Sequence, residues 1–315
     1  MHHKLMRASA RTAVIGAVII LGSTAAAQGA MAKPAPSGIV SVACNTPALI
    51  SAVAGASYGE KLQLAFGCPY RLTAPLPDIG TDLTIVGLGA TLERSEAGGT
   101  PAFTILTVTG GNVNLVEVNF RNGDGLGGGD GGAIYNEGGN ITVLGGTFTG
   151  NDSGLYGGAI YNYSGALTMT SAYFIDNGAD DWGGAIYNNG TMILRSSHFS
   201  HNGAEYAGAV YNEGTATVIG TTFTEDDSYE GGAFYNDGQA ALSYVTIQDN
   251  YSGVGGGIYN DGTLTAASSN IVRNYAEYEG GGIANDGSLT LSLTKVSGNV
   301  PDNCFTTVSI AGCSG

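Results

Sequence analysis

A tripeptide returns along this chain at an almost fixed interval, and no other feature of the sequence narrows the possible folds as far. Ile134-Tyr135-Asn136 recurs as Ile160-Tyr161-Asn162, Ile186-Tyr187-Asn188, Val210-Tyr211-Asn212, Phe234-Tyr235-Asn236, Ile258-Tyr259-Asn260 and Ile283-Ala284-Asn285. Its asparagines are 26, 26, 24, 24, 24 and 25 residues apart. A second marker keeps phase with the first: Phe148 with Asn151, Phe174 with Asn177, Phe199 with Asn202, Phe223 with Asp226, Ile247 with Asn250, Ile271 with Asn274 and Val296 with Asn299. Two markers in phase over seven units mean a stacked repeat, because one unit of this size cannot bury its own apolar face.

Within each unit, apolar residues alternate with polar ones, as in Ile141/Val143, Leu167/Met169, Met192/Leu194 and Leu289/Leu291. Period two specifies a strand with one buried face. Gly, Asn and Asp turns divide a unit into three short strands, with no room for a helix longer than a turn. Stacking units at about 4.8 Å per coil pairs each strand with its counterpart above and below. The expected fold is all-β, a single-stranded parallel β-helix over residues 61–303, with regular coils from about residue 131.

Composition agrees once the glycines are placed. There are 53 in 315 residues, about 17% against a usual ~7%. Collagen is excluded by the missing Gly-X-Y period. Helical domains are disfavoured because interior glycine costs about 0.5–1 kcal/mol relative to alanine. Most of the tripeptides instead follow Gly-Gly-Ala or Gly-Gly-Gly, where glycine supplies a corner with positive φ. The recurring asparagines suit ladders that hydrogen-bond from coil to coil. The Tyr-Asn and Phe-x-x-Asn positions are therefore expected to hold architecture rather than chemistry.

Residues 1–32 carry Lys4, Arg7 and Arg11, an apolar run from Ala13 to Leu21 and then small residues, the pattern of a secretory signal peptide. No later stretch reaches ~18 apolar residues, so no transmembrane anchor is expected. Removing the leader takes away three cations, moving the net charge from −15 to −18. Such acidity argues against nucleic acid or an anionic membrane as partner, and leaves cations and neutral polymers. The mature chain is expected to be a monomer, secreted, either free or associated with the cell envelope.

Four cysteines remain, Cys44, Cys68, Cys304 and Cys313. Three connectivities are open to them; an oxidising compartment and the grouping at the two ends favour Cys44–Cys68 and Cys304–Cys313. Residues 33–60 read as an N-terminal segment with a capping helix. Asn45 or Thr46 would be its cap and Pro47 would sit in its first turn, while Ala48, Leu49, Ile50, Ala52 and Val53 would cover the open end of the core. Residues 304–315 read as a tail closed by the second bridge.

Gly157-Gly158-Ala159-Ile160, followed by Phe174-Ile175-Asp176-Asn177, resembles the repeat of the chlamydial polymorphic outer-membrane proteins and of related secreted right-handed β-helix proteins of bacteria. Val42-Ala43-Cys44-Asn45-Thr46-Pro47-Ala48-Leu49-Ile50, Phe66-Gly67-Cys68 and Pro301-Asp302-Asn303-Cys304 are similar to features of secreted actinobacterial members. The resemblance implies a right-handed, pectate-lyase-like solenoid over roughly residues 42–313. Unlike the chlamydial proteins, the chain has no C-terminal series of ~10-residue amphipathic strands for an outer-membrane barrel.

Function is expected where outward columns vary. Two residues after the Phe or Ile of each third strand stand Gly150, Asp176, His201, Glu225, Asp249, Arg273 and Gly298. Stacking would put His201, Glu225, Asp249 and Arg273 on one line, a candidate catalytic set. Secreted β-helix proteins include Ca²⁺-dependent polysaccharide lyases that pair calcium-binding carboxylates with a base. No lyase signature is present here, and complementary charges also relieve like-charge stacking. Ahead of the Gly-Gly corner lie Tyr156, Trp182, Tyr206, Tyr229 and Tyr278, rings suited to stacking on successive sugars. Asp181, Glu205, Asp227 and Glu230 among them are candidate calcium ligands, although no cofactor is required by this reading. The reading placed first is a non-catalytic binding rod for extracellular polysaccharide or envelope. The alternative is a Ca²⁺-dependent lyase acting on acidic polysaccharide by β-elimination, and the third is a passive envelope component.

Overall fold

The computed structural model describes residues 38–127, 131–306 and 310–313, so the leader read over residues 1–32 lies outside the described residues. One coil shows the path. It runs through Ile160–Asn162, Ala166–Thr170, Tyr173–Ile175 and Gly178–Ala179, and each of these strands pairs in parallel with its counterpart one coil on. Four parallel sheets result, of nine, eleven, ten and six strands. The fold is an all-β parallel solenoid of about eleven turns.

The fourth strand departs from the expected three. Segments such as Gly178–Ala179, Gly203–Tyr206 and Asp227–Glu230 carry no apolar alternation that would mark them. They pair because the rest of the coil is already in register, which brings their backbone groups within reach of the neighbouring coil. Stacking, rather than local pattern, creates this sheet.

Inside, the repeat becomes columns. The second marker supplies Phe148, Phe174, Phe199 and Phe223, and Phe120 of the coil before continues the column; all five are fully buried. Their rings stack at 5.1, 4.7, 4.6 and 4.7 Å between centroids, with interplanar angles of 16° or less. Such offset stacks add about 0.5–1.5 kcal/mol per pair beyond the burial of the rings.

The first asparagine ladder is continuous. The side-chain amides of Asn136, Asn162, Asn188, Asn212, Asn236 and Asn260 each donate to the Oδ1 of the next, ending on Asn285, over 2.6–2.8 Å. A buried amide that is satisfied in this way fixes register, since a one-residue slip would strand its donors.

The second ladder runs Asn151, Asn177 and Asn202 into Asp226, then from Asn250 through Asn274 to Asn299. Asp226 is fully buried, and its Oδ2 has no hydrogen-bond partner. Burial raises its pKa from the ordinary carboxylate value to about 8, against the lowering effect of hydrogen bonds from Asn202. A carboxyl that burial disposes to keep its proton stands here in place of an amide.

Glycine serves two purposes at the corner. Gly157 has φ of 59°, and a Cβ there would lie 2.0 Å from the Ile160 carbonyl oxygen. Its neighbour Gly158 needs no special φ; a Cβ on it would meet the Gly184 carbonyl oxygen of the next coil at 2.2 Å. Turn geometry and close backbone approach therefore both demand glycine.

At the N-terminal end, Thr46–Ala54 forms the helix, with the Asn45 side chain accepting from the Ala48 amide at 2.9 Å and with Leu49 and Val53 buried. The ladder starts ahead of this helix, because Ile39–Ser41 pairs with Lys61–Gln63. At the other end, Cys304–Thr306 extends the Ile283–Asn285 sheet. Cys44–Cys68 and Cys304–Cys313 are the two disulfides.

Candidate functional site

The charged column sits on a corner that the backbone dictates. Asp176, His201, Glu225, Asp249 and Arg273 have φ between 54° and 58°, and Gly150 and Gly298 occupy the same position. Their side chains are exposed, and this left-handed conformation is easiest for Gly, Asn and Asp. The four candidate catalytic residues close into two pairs. His201 Nε2 lies 2.6 Å from Glu225 Oε2. Arg273 donates through Nε and a terminal nitrogen to the two Asp249 oxygens at 2.9 and 2.7 Å. Both pairs are widely exposed, with 56% of each side chain accessible for His201 and Glu225. The Asp249 carboxylate holds the Arg273 guanidinium above its usual pKa range. Each of these charged groups is thus paired with its neighbour on an open surface, as complementary charges on a solvated ladder are.

The aromatic column is shorter than expected along the register. Tyr156 pairs with Trp182, and Trp182 with Tyr206. Tyr206 then pairs with Glu230, and Glu230 with Val254, so Tyr229 and Tyr278 lie off that line. The rings of Tyr156, Trp182 and Tyr206 stack at 5.0 and 6.2 Å. The most exposed of the five are Tyr229 at 52% and Tyr278 at 63%.

A longer aromatic run stands beside it, built from the tyrosines read from sequence as architecture. In Ile-Tyr-Asn the Ile and Asn point inward and the Tyr outward, giving Tyr135, Tyr161, Tyr187, Tyr211, Tyr235 and Tyr259 one ring per coil. Successive centroids are 5.3, 5.3, 5.1, 4.7 and 4.8 Å apart. Tyr156 joins the two columns by stacking on Tyr161 at 5.0 Å. The same period-two alternation that marks the core also marks this face, since each Tyr lies between two inward residues. Most of these rings turn their faces to one another, so the column presents mainly edges and hydroxyls.

Carboxylates rim the aromatic face. The Tyr187 and Tyr259 hydroxyls donate to Glu213 and Asp286 at 2.6 and 2.7 Å. Burial, reinforced by that bond to Glu213, pushes the Tyr187 phenol far above its usual range. Glu230 is raised by burial and then by repulsion from Asp286, Glu205 and Asp261; Asp237 is raised by burial and then by Asp261 and Glu213. Among the described residues the ion pairs are Arg71–Glu93, Arg94–Asp124, His201–Glu225 and Arg273–Asp249, none of them on this rim. The structure does not gather Asp181, Glu205, Asp227 and Glu230: no cluster of three His, Cys, Asp or Glu able to hold a metal ion occurs among the described residues. Asp227 neighbours Gly203 and Tyr251, whereas Glu230 lies between Tyr206 and Val254.

Residues 171–189 match the family model of the Chlamydia polymorphic membrane protein repeat. No curated protein and no solved structure matches the chain. Fold and repeat together define a β-solenoid repeat protein whose coils include a unit similar to that repeat. No helix among the described residues is long and apolar enough to cross a membrane.

Proposed function

We propose that this protein is a secreted, non-catalytic binding rod that holds a neutral or amino-bearing extracellular polysaccharide along its aromatic face, at or near the cell envelope. The observation that carries the reading is the joined pair of aromatic columns, Tyr135 to Tyr259 with Tyr156, Trp182 and Tyr206 alongside. A linear array of aromatic edges and hydroxyls, one per coil, suits an extended chain of repeating units better than a compact small molecule. The rim of uncompensated carboxylates favours neutral or cationic polymers and repels acidic ones. The membrane-protein name attached to the matched repeat, and the two disulfides, are consistent with an extracellular setting.

Affinity electrophoresis through gels containing neutral, amino-bearing or acidic polysaccharides tests this. The full chain should be retarded by one of the first two, and Trp182→Ala with Tyr206→Ala should lose most of the retardation while keeping the far-UV spectrum. Equal retardation of the variant would end the aromatic-face reading. Release of unsaturated uronates from an acidic polymer in a calcium-dependent assay would replace it with the lyase.

A further inference from the structure

The cations are unevenly placed along the solenoid. Residues 38–306 contain seven, Lys61, Arg71, Arg94, Arg121, Arg195, Arg273 and Lys295, in a chain of net charge −15. Three of the seven, Arg71, Arg94 and Arg121, line one cleft of about 240 Å³, together with Glu93, Ser95 and Glu96. Topology brings them there. Pro69–Leu72, Thr91–Arg94 and Asn119–Arg121 are consecutive strands of one sheet, and their register stacks Arg71 on Glu93 and Glu93 on Arg121.

The local bonds do not use up these donors. Glu93, only 8% exposed, accepts Arg71 Nε at 2.7 Å. Arg94 gives one terminal nitrogen to Asp124 at 2.6 Å and the other to the Ser95 carbonyl at 3.3 Å. Its Nε is buried without any hydrogen-bond partner. Arg121 is exposed and, among the described residues, takes part in none of the ion pairs. By contrast, Arg273 is already closed on both oxygens of Asp249. A planar guanidinium with free N–H groups is a fork for an oxyanion.

We propose that this cleft binds a single carboxylate or phosphate group carried on a hydroxylated ligand. Arg121 and the free nitrogens of Arg71 take the oxyanion, and Glu93, Ser95 and Glu96 accept from hydroxyls. The volume lies just below the roughly 300–1,000 Å³ of drug-sized ligand clefts, which suits one charged, sugar-sized group rather than a polymer segment. The proposal does not depend on the aromatic face: its residues, ligand charge and assay all differ.

Titration of the full chain with glucuronate, glucose 6-phosphate and glucose, followed by NMR or calorimetry, tests it. At least one of the two anions should bind and glucose should not, and the stronger anion identifies the oxyanion's source. Arg121→Gln should weaken anion binding at least about tenfold, and Arg121→Lys should weaken it less, since it keeps charge but loses the fork. Arg273→Gln should leave binding unchanged, and raising the salt should weaken it. The proposal fails if neither anion binds at about 10 mM, if glucose binds as well as the anions, or if Arg121→Gln, with its melting temperature intact, retains full affinity.

Discussion

The regular coils from about residue 131 onward and the irregular coils over residues 60–127 follow the same path by different physical means. In the regular coils, position is set by repetition: an amide donates to the amide above it, a ring lies on a ring, and a glycine admits the next backbone. In the irregular coils the same columns hold other residues. Val108 occupies the position of Asn136, and Tyr70 and Leu92 stand below Phe120 in the ring column. Both regions carry ion pairs, but the acids of Arg71–Glu93 and Arg94–Asp124 are only 11% and 16% exposed, against 56% and 39% for the acids paired with His201 and Arg273 in the regular coils. Repetition stabilises the rod but makes neighbouring coils chemically alike. Irregularity gives up the ladders and allows several unlike side chains to converge on one cleft.

The largest expected effect tests whether the ring stack carries the regular region. Phe199→Ala removes a ring flanked by two others and should cost about 3–5 kcal/mol, and more than Leu92→Ala in the irregular part of the same column, whose range is about 2–5. Denaturant melts compare the two. A Leu92 variant as damaging as the Phe199 variant would show that the stack adds nothing beyond ordinary burial.

Asp226 gives a sharper contrast, because it is the one acid in an otherwise amide ladder. Folded Asp226 holds its proton more tightly than an unfolded aspartate. Its stabilising contribution is therefore complete at pH below about 4 and is lost as pH rises through about 8. Asp226→Asn should restore the missing donor, raise stability by a few kcal/mol at alkaline pH, and change little near pH 4. Thermal melts across this range check it, and a parallel pH dependence in wild type and variant would refute the assignment.

The smallest effect is expected on the outer corner. Arg273→Gln and His201→Gln open exposed pairs, and exposed pairs contribute little or nothing. Melting temperatures should not move measurably. A large loss of stability from either would show that the charged column holds the corner rather than decorating it.

Much of the fold was legible in the sequence because its determinants are periodic. The Ile-Tyr-Asn and Phe-x-x-Asn markers fixed strand faces and ladder positions, and Asn45 with Pro47 marked the helix. The fourth strand was not legible, since Gly178–Ala179 becomes a strand only when another coil lies against it. The site was less legible still. His201, Glu225, Asp249 and Arg273 could be placed on one column, but their closure into two separate pairs depends on rotamers. Tyr229 and Tyr278 share with Trp182 a place ahead of the Gly-Gly corner, but they stand two residues before it rather than one, and the hydrogen-bond register sets them aside.

The sequence by itself determined the repeat, the inward columns and the need for glycine at the corners, because each follows from periodicity and local sterics. Only the tertiary structure decided which outward residues become neighbours. Arg71, Arg94 and Arg121 lie between 23 and 50 residues apart in the chain, yet they share a cleft, since contact across coils depends on the exact length of each turn and on the register that the whole stack selects.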